Sequence, residues 1–164
     1  MSRAVLSLGS NLGDRLGYLA LAVRGLGDRL VAVSSVYETA PWGVLDQPDF
    51  LNAVCVVDDR EMDHWAWLRC AQSLENEAGR VRDQRWGPRT LDVDVVTVEG
   101  VTSTDPELLL PHPGTPDRAS VLIPWLEVEP DARLPGHGRV DALLAARPEA
   151  DRASVRLRPE LWLG

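Results

Sequence analysis

An α+β fold of ferredoxin-like type is predicted by three observations. Strand-like and helix-like apolar periods follow one another in the order β-α-β-β-α-β. The middle strands are joined by a hairpin-type link, which makes the sheet mainly antiparallel. The 164 residues carry no linker or repeat, so one domain spanning 1–164 is expected, with a sizeable core.

Residues 4–8 read as the first strand. Gly9-Ser-Asn-Leu-Gly-Asp14 is a turn-forming loop with neither the Rossmann nor the P-loop pattern. Leu16, Leu19, Ala20, Val23 and Leu26 recur at helical spacing, and Gly27 ends that helix. Residues 30–39 alternate and are β-branched, giving a second strand. Residues 40–49 hold two prolines and a glycine, and at about ten residues exceed a usual hairpin link, which suggests a working loop. Residues 50–57 form a continuous apolar run, a strand buried on both faces.

Asp63 is an N-cap for a helix through Ala78, stopped by Gly79. An arginine-rich loop leads into a strand over 90–98, and Glu99-Gly100 turns into a short partner at Val101-Thr102. Residues 104–116, dense in proline, read as loop. Short helices are expected over 118–126 and 140–146, and a final edge strand over 155–158.

Net charge is −8, with 45% hydrophobic and 26% charged residues. Such an acidic chain is a poor binder of nucleic-acid backbone. No apolar run reaches membrane-spanning length. No signal peptide is legible, so the cytoplasm is the expected compartment. Cys55 and Cys70 read as small core residues rather than a disulfide framework.

The chemistry concentrates in Arg80-Val-Arg-Asp-Gln-Arg-Trp-Gly-Pro-Arg-Thr-Leu-Asp-Val-Asp94. A strand repeats every two residues, so Asp92 and Asp94 share a face opposite Leu91, Val93 and Val95. Adjacent carboxylates repel unless a cation or proton relieves them, which suits a magnesium ion. Arg80, Arg82, Arg85 and Arg89 are phosphate candidates, Arg being suited to bidentate contact with phosphate oxygens. Together these are the parts of phosphoryl transfer. Trp86 either stacks on a ligand or plugs the loop. Gln72 and Glu75 lie one helical turn apart. His112 is held in the rigid Pro111-His-Pro113 turn, with Arg118 nearby in sequence. Phe50 and Asn52 share a strand face, where a ring and an amide can stack on a flat heterocycle and read its edge; core packing of Phe50 is the alternative.

Four segments resemble the 6-hydroxymethyl-7,8-dihydropterin pyrophosphokinase family of folate biosynthesis. They are Leu8-Gly-Ser-Asn-Leu-Gly-Asp14, Gln47-Pro-Asp-Phe-Leu-Asn-Ala53, Arg85-Trp-Gly-Pro-Arg-Thr-Leu-Asp-Val-Asp94 and Leu110-Pro-His-Pro113. The resemblance implies a three-layer α/β/α sandwich around an antiparallel sheet. It implies transfer of pyrophosphate from ATP to the pterin hydroxymethyl group, with release of AMP and two magnesium ions. By the same resemblance Asp92 and Asp94 are metal ligands and catalytic, and Arg80 and Arg89 assist the catalytic step. Gln72, Glu75, Arg82, Trp86, Arg89, Val95, His112 and Arg118 match ATP contacts. Thr39, Ala40, Trp42, Phe50 and Asn52 match the pterin pocket. ATP and a pterin are therefore the expected partners, and a monomer the expected state.

The chain departs from the family at Ser120, where an aromatic residue usually forms the second wall of the pterin site. Leu109 and Gly114 also replace residues that are more often polar or basic. Two other readings stay open at this point: a pyrophosphokinase with a different acceptor, and a nucleotide-binding module without catalysis.

Overall fold

The computed structural model describes residues 2–40, 47–79 and 90–163. Its strands are β1 (Arg3–Ser10), β2 (Leu30–Val33), β3 (Tyr37–Thr39), β4 (Phe50–Asp58), β5 (Asp92–Val98), β6 (Ser103–Asp105), β7 (Leu108–Leu110), β8 (Arg133–Leu134), β9 (Gly138–Arg139) and β10 (Arg156–Leu157). The helices are α1 (Arg15–Leu26), α2 (His64–Glu77), α3 (Ala119–Val128), α4 (Val140–Ala145) and α5 (Glu149–Ala153).

The main sheet runs β10-β3-β4-β1-β5, with β2 paired to the far end of β4 beyond β3. Its paired strands are antiparallel. Taking β2 and β3 as one broken strand, this is the order expected of a β-α-β-β-α-β core. The two small hairpins are β6–β7 and β8–β9.

Alternation along the strands sorts the core into two clusters, one on each sheet face. Leu6, Leu8, Leu51, Cys55, Val93 and Val95 pack against Leu19, Ala22 and Leu26 of α1 and Trp67, Ala71 and Leu74 of α2. Val5, Val54, Val56 and Val96 pack against Val121, Leu122 and Trp125 of α3 and Val140 of α4. The result is helix, sheet, helix. β4 is buried on both faces, as its unbroken apolar run predicts. Burial pushes the Cys55 thiol up to about 12, so it behaves as a core hydrophobe.

Local chemistry explains the helix limits. Asp14 accepts the Gly17 N–H at 3.0 Å and Asp63 accepts the Ala66 N–H at 2.7 Å. Each cap contributes about 1 kcal/mol. Just past the end of α2, Gly79 takes φ +68°, a conformation open to glycine at little cost.

Three expectations are corrected. Gly9 and Ser10 extend β1 through its pairing with β4 rather than opening the loop. Residues 30–39 form two strands rather than one. The Ser34 hydroxyl accepts the Val54 N–H at 2.9 Å, replacing a main-chain partner and letting the chain leave the ladder before β3 begins. Residues 104–116 are not all loop, because β6–β7 is a hairpin. Leu108 and Leu110 are buried while Leu109 is exposed, an alternation hidden in sequence by a run of identical residues. The edge strand expected near 155–158 is β10, paired with β3.

Candidate active site

The α3 face of the sheet carries the predicted chemistry. Because Leu6 and Leu8 face α1 and α2, Ser7 and Gly9 must face the other way. The register sets Gly9 opposite both Asn52 on β4 and Asp92 on β5, and Ser7 opposite Asp94. Thr39 lies opposite Phe50. The first turn of α3 closes over this surface. A cavity of about 70 Å³ is bounded by Phe50, Asn52, Asp92, Asp94, Arg118 and Ser120, with Thr39, Ala40 and Gly9 also in its wall.

At one end of the cavity, the Phe50 ring lies over Gly9. A Cβ on Gly9 would sit 3.4 Å from Phe50 Cδ1 and 3.5 Å from Asn52 Oδ1. Phe50 is half-buried and borders the cavity, so its ring is not a core plug. The Asn52 amide donates to Thr39 Oγ1 at 2.8 Å, which fixes the orientation of the side chain. A half-buried ring, an oriented amide and a buried hydroxyl suit a flat heterocycle with polar edges.

The other end is acidic. Asp92 and Asp94 are half-buried side by side on β5. The strand is held from behind by Glu75, a buried side chain of α2 whose carboxylate accepts the Val93 N–H at 2.8 Å. His112 follows the cis Leu110–Pro111 bond, and its main-chain N–H donates to Val96 O at 2.9 Å. Its Nδ1 accepts the Gly114 N–H at 3.4 Å, leaving the proton of the neutral ring on Nε2, 3.9 Å from Asp94 Oδ1. Burial holds the His112 pKa below its ordinary value, helped by the Arg118 charge and opposed by Asp92. Arg118 folds over Gly114, where an added Cβ would approach its Cζ to 2.9 Å.

Asp92 and Asp94 offer hard oxygen donors in the number magnesium commonly takes from protein. Among the described residues no group of three metal-ligating side chains converges, so further ligands would come from phosphate and water.

The predicted residues fall on both sides of the sheet. Thr39, Ala40, Phe50, Asn52, Asp92, Asp94 and Arg118 share the one cavity, with His112 beside Asp94. Gln72 is exposed on α2, and the Val95 side chain is buried in the α1–α2 core. Trp42, Arg80, Arg82, Arg85, Trp86 and Arg89 lie outside the described residues. Ser7 and Val121 also line the cavity and were not singled out in the sequence, where Gly9 read as part of a turn-forming loop. The alternation of Leu6 and Leu8 was the signal that puts Ser7 and Gly9 on the pocket face.

Residues 5–130 match the family model of 7,8-dihydro-6-hydroxymethylpterin-pyrophosphokinase (HPPK). A relative from Mycobacterium leprae, named 2-amino-4-hydroxy-6-hydroxymethyldihydropteridine pyrophosphokinase, is 53% identical over 96% of this chain and 89% of its own. The protein of the same name from Mycobacterium tuberculosis is 50% identical over 99% of this chain and 94% of its own. A crystal structure of Plasmodium falciparum HPPK-DHPS with SDX-DHP aligns with TM-score 0.62 at 15% identity. That alignment covers 88% of this chain but 43% of the other, and speaks to the fold. With the family model spanning most of the chain and relatives this similar along their length, the chain belongs to the 7,8-dihydro-6-hydroxymethylpterin-pyrophosphokinase family.

Proposed function

We propose that this pyrophosphokinase of folate biosynthesis joins ATP and 6-hydroxymethyl-7,8-dihydropterin on the α3 face of its sheet. The hydroxymethyl oxygen bonds to the β-phosphorus of ATP. The bond from that phosphorus to the α,β-bridging oxygen breaks, AMP departs, and the hydroxyl proton is released. The observation that carries the reading is one row of the sheet: Asn52, Gly9 and Asp92 lie side by side, joining a ring-binding pocket to a carboxylate pair.

In this reading the pterin rests on Phe50, and Asn52 and Thr39 meet its polar edge. Ala40 borders the same cavity, and Trp42 is proposed to contact the pterin. Asp92 and Asp94 would hold magnesium, which when bound offsets phosphate charge. Arg118 and His112 stand on the phosphate side. Arg82, Trp86 and Arg89 are proposed to bind ATP, and Arg80 and Arg89 to stabilise charge as the phosphoryl group moves. Gln72, on α2 behind the edge strand β5, is proposed to reach ATP around that edge, as is the main chain at Val95. Glu75 supports the same half of the site by fixing β5 through Val93.

The separate roles are tested by substitution. Asp92→Ala and Asp94→Ala should each cost about two orders of magnitude or more in turnover. Pterin affinity, measured without nucleotide, should stay near that of the wild type. Near-normal turnover in both variants would remove the carboxylates from the phosphoryl-transfer site.

A further inference from the structure

The pterin pocket is braced from the opposite face of the sheet. Thr39 and Phe50 face α3, so their neighbours Glu38 and Leu51 face α1. Arg15, the first residue of α1, sits under this hairpin. Its Nη1 donates to Glu38 Oε2 at 2.6 Å and to the Asp49 main-chain oxygen at 2.9 Å. One guanidinium nitrogen thus bridges the two sides of the β3–β4 hairpin, at the residues just before Thr39 and just before Phe50.

The other carboxylate oxygen of Glu38 accepts from Arg158 Nη1 at 2.6 Å. Only 13% of the Glu38 side chain and 28% of the Arg15 side chain are exposed, so water screens the pair poorly. Asn11, beyond the end of β1, adds a second tie. Its Nδ2 donates to Gln47 Oε1 at 2.7 Å and to Pro48 O at 3.0 Å. The entry to β4 is therefore held by the β1–α1 connection.

We infer that Arg15 and Glu38 are positioning residues for the acceptor, setting the distance between Thr39 and the Phe50–Asn52 pair through the Asp49 carbonyl. The inference rests on the reading that the pterin occupies that pocket. Neither residue lines the pocket cavity, so their effect passes through the hairpin. Small displacements of groups that orient a substrate carry large penalties, because the oriented geometry is what the site supplies. Arg158 contacts Glu38 but has no hydrogen bond to Asp49, so it is the natural control.

The test is calorimetric titration of dihydropterin and, separately, of a non-hydrolysable ATP analogue with magnesium. The proteins are wild type, Arg15→Met, Arg15→Lys, Glu38→Gln, Arg158→Ala and Phe50→Ala, each with its melting temperature. Arg15→Met and Glu38→Gln should weaken pterin binding roughly fivefold to tenfold and leave ATP binding within about twofold. Arg15→Lys, which keeps a multivalent cationic donor, should recover most of the loss. Arg158→Ala should lower the melting temperature but leave pterin binding within about twofold. Wild-type pterin affinity in Arg15→Met and Glu38→Gln, beside a weakened Phe50→Ala, would overturn the inference alone. Wild-type affinity in Phe50→Ala as well would overturn the pocket assignment beneath it. If Arg15→Met does not fold, Glu38→Gln against Arg158→Ala decides: equal pterin losses would make the brace merely structural.

Discussion

Gly9 sits beneath Phe50, with room above its Cα for a methyl group and little more. A Cβ there makes ordinary contact at 3.4 Å, so Gly9→Ala should bind pterin within about twofold of wild type. Gly9→Val adds two methyl groups beyond that Cβ, where the ring lies. It should displace the ring and weaken pterin binding about tenfold or more, overpacking typically costing about 1–3 kcal/mol. Titration of both variants checks this, and equal affinities would mean that Phe50 moves freely off Gly9.

Ser120 and Phe50 line the same cavity, and Ser120 is half-buried at the start of α3. With the pterin resting on Phe50 as proposed, a serine there supplies no second aromatic contact. Ser120→Phe should tighten pterin binding by roughly threefold to tenfold, matching about 0.5–1.5 kcal/mol for an added aromatic contact. ATP affinity should not change. Unchanged or weaker pterin binding would mean that a tryptophan already fills the wall, or that the natural acceptor is not this pterin.

Glu38 gives the fold an acid limit. The Arg15 hydrogen bond, joined by Arg158 and opposed by desolvation, holds its carboxyl below the ordinary 4.5. A depressed native pKa stabilises the fold above the unfolded value, and that contribution fades as pH falls through the native value. Urea midpoints from neutral pH downward should therefore drop below pH 4.5 more steeply in the wild type than in Glu38→Gln. Parallel curves would remove Glu38 from the acid response.

The fold was legible where period and punctuation agreed. Gly27, Asp63 and Gly79 marked helix limits that the structure reproduces closely. The apolar run of β4 announced burial on both faces. The break at Ser34 was not legible, because it depends on the side chain replacing a main-chain partner across the sheet. The β6–β7 hairpin was masked by three consecutive leucines, which hide period two. At the site, Asp92 and Asp94 were readable as a pair, and Phe50 and Asn52 as another. Their meeting through Gly9 needed the order of β4, β1 and β5, which no local pattern states. Glu75 was named through the family resemblance as an ATP contact, and nothing in its helical spacing announced its burial or its bond to the Val93 N–H. The brace of Arg15 and Glu38 joins residues 23 apart on elements that the topology stacks.

One face of this sheet is proposed to couple a pterin to the β-phosphorus of ATP. The direct measurement is AMP release from ATP with magnesium, in the presence and absence of 6-hydroxymethyl-7,8-dihydropterin. AMP should form in step with a pyrophosphorylated pterin, with neither product above background when the pterin or magnesium is left out. AMP formed at the same rate without the pterin, or no AMP with every component present, would contradict that coupling.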